Sequence, residues 1–226
     1  MAKVAIVSVY ITSGNRTIAA AWPTAAPDGR HARIDMTLSY DAQVAQLCRA
    51  LAEVDGHATL FAHSFGAVVA IGALAKDRAN VVRLVLVEPA LYDIVRGEES
   101  IERHIAAVTS AGELAVVGDL YGSWKIIRPV MFGGQATTDK WKSEEGKAAE
   151  FASRCLPWGH HIDADVVSEI PTLVVTGDWN QEYEVIATRL AEKGAVHVHL
   201  RGNGHRPQDH PGFADEVNQF LARGLA

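Results

Sequence analysis

The chain has 226 residues, 48% of them hydrophobic and 21% charged, a balance that suits one globular domain and excludes disordered and fibrous classes. A formal net charge of −6, with no run of lysine or arginine, leaves no electrostatic footprint for nucleic acid or anionic lipid. The expected partner is a neutral or small molecule, not a polyanion.

The first element is an apolar run at residues 4–11, behind Lys3. Ser8 interrupts it and Ser13-Gly14-Asn15 reads as a turn, so it is read as a strand, not as a signal peptide cleaved after the alanines at 19–21. A short helix at 16–22 is terminated by Pro23 and Pro27. A weak strand at 31–36 precedes a helix at about 41–54, whose inner face carries Val44, Leu47, Cys48 and Leu51. Residues 57–62 form the next strand, and a helix follows to about Lys76. VVRLVLV at 81–87 has the continuous apolar character of a strand buried on both faces of a parallel sheet.

Between these last elements stands TLFAHSFGAVVAIG, residues 59–72. Ser64 is flanked two residues away by Ala62 and Gly66, and such small neighbours allow a tight strand-to-helix reversal that exposes the hydroxyl. Ser64 is therefore the candidate nucleophile, and helix N-cap is its plainer alternative role.

The regularity breaks after Pro89. Residues 90–168 show no clear strand but two helix candidates, one striped by Ile101, Ile105 and Val108, the other at about 139–154. Tyr92, Tyr121, Trp124, Trp141, Phe151 and Trp158 are concentrated here, which suggests a helical lid inserted between two stretches of core, 1–89 and 169–226. The alternation resumes with the strand PTLVVTG at 171–177, a helix at about 183–193, a strand at 195–200 and a last helix at 212–223. Repeated strand–helix units predict an α/β fold: a doubly wound, mostly parallel sheet with helices on both faces. Ligands of such sheets bind beyond the carboxyl ends of the strands, where Ser64, Glu88, Asp178 and His205 all fall.

The elbow, and the order serine, acid, histidine, resemble the α/β-hydrolase superfamily, with Ala62 in place of the first glycine of G-x-S-x-G. The resemblance runs over nearly the whole chain, although the N-terminal hairpin with which most relatives begin is not apparent. A sheet edge near residue 1, exposed or covered in a homodimer, is therefore expected. The resemblance implies a serine hydrolase in which His205, in Gly202-Asn203-Gly204-His205, is the base. It further implies an oxyanion site built from the backbone of Phe65 and of Ser13 or Gly14.

The acid departs from the family pattern. Gly177-Asp178-Trp179-Asn180 sets an amide where the acid commonly stands, and a neutral partner for the histidine costs on the order of ten-thousandfold in rate. Glu88, in Val87-Glu88-Pro89, is the first choice, since some α/β-hydrolases, including a group resembling haloalkane dehalogenases, carry their acid after that strand; Asp178 is the second. The histidine pairs His197/His199 and His160/His161 each lack a third ligand at metal spacing, and no metal or organic cofactor is implied. Cys48 and Cys155 read as free thiols suited to a reducing cytosol, and no segment is long enough to span a membrane.

The reading is an esterase-like hydrolase of a small, mostly apolar ester or related acyl compound, in the cytoplasm. Two alternatives stay open on the sequence: a catalytically impaired ligand-binding protein, and a cofactor-free, non-hydrolytic enzyme that uses His205 as base.

Overall fold

The computed structural model describes residues 5–13, 16–78 and 80–223. Two compact units are present, one formed by residues 1–95 and 157–226, the other by 96–156.

The first unit is built on a parallel sheet. Its strands are β1 (Ile6–Ser13), β2 (Arg30–Ile34), β3 (His57–His63), β4 (Val81–Val87), β5 (Thr172–Thr176) and β6 (Val196–His199), in the order β2-β1-β3-β4-β5-β6. Among the described residues every ladder is parallel. This corrects the expectation of a sheet edge near residue 1: β1 lies between β2 and β3, and β2 forms that edge. The chain runs from β1 outward to β2 and returns to β3 on the other side. The carboxyl ends of β1 and β3 thus flank the point where strand order reverses, the usual ligand crevice of such sheets.

Helices α1 (Ile18–Ala21), α2 (Tyr40–Ala52) and α3 (Phe65–Lys76) connect the first four strands. Residues 67–74 of α3 are all buried, as befits a helix that is apolar all round. On one sheet face Tyr10, Phe61, Val85, Val87, Leu173 and Val175 pack with Trp22 and with Phe213, Val217 and Phe220 of the last helix. The alternation of Val85 and Val87 with Leu84 and Leu86 fills both faces of β4, all four being fully buried. Each such side chain contributes about 1.5–3 kcal/mol of burial. Tyr10 stacks on Phe61 with ring centroids 4.5 Å apart, and the Trp22 indole N–H is satisfied by the Ile11 carbonyl at 2.9 Å.

The second unit consists of α4 (Glu99–Val116), α5 (Leu120–Phe132) and α6 (Thr138–Ala152). Helix α5 is absent from the sequence reading, because Gly122 and Pro129 both weaken a helical pattern. Its start is fixed by Asp119, whose carboxylate accepts the Gly122 N–H at 2.7 Å. The aromatic side chains of this unit contact one another, Tyr121 with Trp141 and Phe132 with both Trp124 and Phe151. Tyr92 and Trp158 belong to the first unit and meet edge to face at 5.6 Å.

After α7 (Asp165–Ser168), the first unit is completed by α8 (Gln181–Glu192) and α9 (Phe213–Ala222). Among the described residues no helix is long and apolar enough to cross a membrane.

Candidate active site

Ser64 is the single residue between β3 and α3, and its backbone stands at φ +54°, ψ −124°. That region is costly for any residue with a side chain, by about 1–3 kcal/mol, and persists only where the surroundings impose it. Here they do. The Ser64 N–H donates to the Val87 carbonyl at 2.9 Å, and the Ser64 carbonyl accepts from Ala67 at 3.0 Å and Ala90 at 3.2 Å.

The small flanking residues have a measurable reason: a Cβ on Gly66 would meet Ile11 Cγ2 at 3.3 Å, with Ala62 Cβ at 4.0 Å. The N-cap role does not hold, because the Ser64 side chain makes no capping bond. Its Oγ lies 3.0 Å from His205 Nε2.

His205 lies in the loop between β6 and α9, and its ring is held on several sides. Its carbonyl accepts the Nε2–H of His63 at 2.8 Å. The Tyr183 ring is 5.0 Å away and tilted by 31°, and the Trp179 ring stands edge-on at 6.0 Å. His63 is kept well below the ordinary histidine range, first by desolvation and then by the neighbouring His205, so it acts as a neutral donor to the backbone of the His205 loop. Arg206 fixes the same loop by pairing with Asp209 and donating to the Ala20 carbonyl at 3.0 Å.

Glu88 follows β4 with φ +44° and is fully buried. A buried carboxylate needs donors. Its Oε1 accepts the Gly177 N–H at 2.6 Å and its Oε2 accepts the Trp179 indole N–H at 3.0 Å. The same Oε2 faces His205 Nδ1 at 3.5 Å.

The second acid candidate, Asp178, and the amide Asn180 have other partners. Asp178 is exposed and paired with Arg201, Nε to Oδ2 at 2.6 Å. Asn180 is the N-cap of α8, its side-chain oxygen accepting the Glu182 N–H at 2.8 Å. The Asn180 amide is thus engaged in helix capping and not with His205.

Of the oxyanion candidates, Phe65 is the first residue of α3, so its N–H has no acceptor within its own helix and points out of the helix N-terminus. Ser13 ends β1, paired with Ile34. Gly14 lies outside the described residues.

Sequence reasoning missed Tyr183, His63 and Trp179. Tyr183 is buried in the first unit, with its ring beside that of His205. Burial, followed by the charge of Glu88, raises its pKa, which keeps the phenol a donor. Its one signal in the sequence is position: it falls in the first turn of the helix after PTLVVTG.

The sequence signature described as the alpha/beta hydrolase family matches residues 12–216. Solved structures of similar fold include MenH from S. aureus, at 18% identity and TM-score 0.65 over 95% of this chain and 93% of that one. An alpha/beta hydrolase from Sphaerobacter thermophilus DSM 20745 matches at 18% and 0.60 over 97% and 94%. A thermophilic esterase from Thermogutta terrifontis matches at 16% and 0.59 over 97% and 91%. At such identities the likeness is one of fold. No curated protein matches the chain.

Proposed function

The chain belongs to the alpha/beta hydrolase family, and from that premise we propose that it is a serine hydrolase acting on a small, mostly apolar carboxylic ester or related acyl compound. One observation carries the reading: Ser64 Oγ, His205 and the buried Glu88 stand in line, at 3.0 Å and 3.5 Å across the two ring nitrogens.

In this reading His205 holds its proton on Nδ1, toward Glu88, and leaves Nε2 free to accept. Ser64 Oγ attacks the substrate carbonyl as its proton passes to Nε2. The carboxylate of Glu88 offsets the imidazolium charge in a site closed to solvent on that side. Negative charge developing on the carbonyl oxygen is met by the Phe65 N–H and the positive end of α3. His205 then protonates the leaving alcohol, and a water activated by the same nitrogen releases the acid from the acyl-enzyme.

The apolar preference rests on the surroundings of His205, where the rings of Trp179 and Tyr183 flank the imidazole. The buried Glu88 beside His205 offers a carboxylate in place of the amide at Asn180, which supports the hydrolase over an impaired binding protein. A panel of short-chain esters with product analysis tests the proposal. Stoichiometric release of acid and alcohol supports it. Turnover without acyl cleavage would favour non-hydrolytic chemistry at the same base.

A further inference from the structure

On the outer strand of the sheet, away from Ser64, three ligand-type side chains converge. His197 and His199 are two residues apart on β6 and therefore share one face of the strand; their ring centroids are 4.3 Å apart. In the sequence this pair has no third ligand nearby. The fold supplies one from α8: Glu184 Oε2 lies 2.8 Å from His199 Nε2 and 3.7 Å from His197 Nε2. We propose that Glu184, His197 and His199 form a binding site for a divalent transition-metal ion of the Zn²⁺ type.

The donor set is two imidazole nitrogens and one carboxylate oxygen, which suits zinc with a fourth position left to water. Around a tetrahedral ion with bonds of about 2.0–2.1 Å, ligand atoms stand roughly 3.3 Å apart. The observed separations straddle that value, and all three ligand atoms lie within 4.8 Å of one another.

A dication placed between them would satisfy both imidazoles and the carboxylate together.

The groups are held in position by hydrogen bonds. Thr176 Oγ1 lies 3.1 Å from Glu184 Oε2 and 2.8 Å from His197 Nε2. Glu184 Oε1 accepts the Asp178 N–H at 3.1 Å, and Oε2 is the oxygen that faces both imidazoles. The His197 and Glu184 side chains are 15% and 21% exposed and that of His199 44%, so an ion has a solvent route past His199. The site is separate from the catalytic residues, although Tyr183 and Glu184 are consecutive on α8. A bound ion would tie the first turn of that helix to β6.

The test is titration of the chelator-treated, full-length protein with Zn²⁺ by calorimetry, and with Co²⁺ followed by its visible ligand-field bands. The expected result is one ion per chain at micromolar affinity or tighter, with tetrahedral Co²⁺ bands. His197→Asn, Glu184→Gln and His199→Gln should each weaken binding by at least about tenfold. His199 is partly exposed, so its variant folds even if burial makes the others unstable. His205→Ala and Cys155→Ser should bind as the parent does, which separates this site from the catalytic histidine and from Cys155. Equal binding by the parent and His199→Gln, or no binding at micromolar metal, overturns the proposal.

Discussion

Glu88 and Gly177 are joined by a 2.6 Å hydrogen bond from the Gly177 N–H to Glu88 Oε1. That bond reverses the usual division of labour between two adjacent strands. The loop after β5, where relatives commonly carry the acid, here provides the donors Gly177 and Trp179. The carboxylate itself comes from the end of β4 and stands 3.5 Å from His205 Nδ1.

The acid assignment predicts an asymmetry. Glu88→Gln should lower kcat by about 10³–10⁴-fold, since a neutral partner neither fixes the histidine tautomer nor balances the imidazolium. Asp178→Asn breaks an exposed pair with Arg201 and should change kcat less than about threefold. Steady-state kinetics on variants of matched thermal stability decide between them; comparable small effects would remove Glu88 from the role.

Asn180 should matter to stability and not to turnover. Asn180→Ala deletes a helix cap and should cost about 1 kcal/mol, read by denaturant unfolding. Asn180→Asp keeps the cap and should leave both stability and kcat near the parent values. A large gain in activity from Asn180→Asp would mean that the loop, not β4, is the natural seat of the acid.

Gly177→Ala should damage both properties. Its Cβ would come within 2.5 Å of the Gly204 carbonyl oxygen, next to His205, and backbone cannot yield as a flexible side chain does. The expected loss is about 1–3 kcal/mol, with kcat reduced more than the stability change explains. Unaltered activity would show that the His205 loop tolerates displacement.

Histidines depressed by burial set the acid limb of stability. His63, His197 and His31 all lie below the ordinary value in the folded chain, chiefly through desolvation. Unfolding lets them take up protons near pH 6.5 that the folded state refuses, so stability is full above that pH and falls as pH drops below it toward their folded values. His63→Gln keeps a donor for the His205 carbonyl but does not titrate. Its Tm should therefore decline less than the parent's between pH 7 and about pH 5. Parallel declines would show that His63 is not held neutral.

The residues that could be read in advance are those whose chemistry depends on order and strand position. Ser64 shows itself through the small residues beside it, His205 through its glycine loop, and Glu88 because it ends the most apolar strand. Tyr183 and His63 could not be read in the same way. Their positions matter through contacts distant in sequence, with the ring of His205 and with a carbonyl 142 residues away. Asn180 misleads because it stands where relatives commonly carry the acid, whereas its side chain caps α8 by accepting the Glu182 N–H. Likewise His197 and His199 reveal a third ligand only once α8 is folded over β6.

The central claim is that Ser64 is an activated nucleophile, and labelling with a fluorophosphonate probe, located by mass spectrometry, tests it most directly. The account predicts a single phosphonyl adduct on Ser64, lost in Ser64→Ala and in His205→Ala. A folded protein that takes no label, or takes it equally well in His205→Ala, would contradict it.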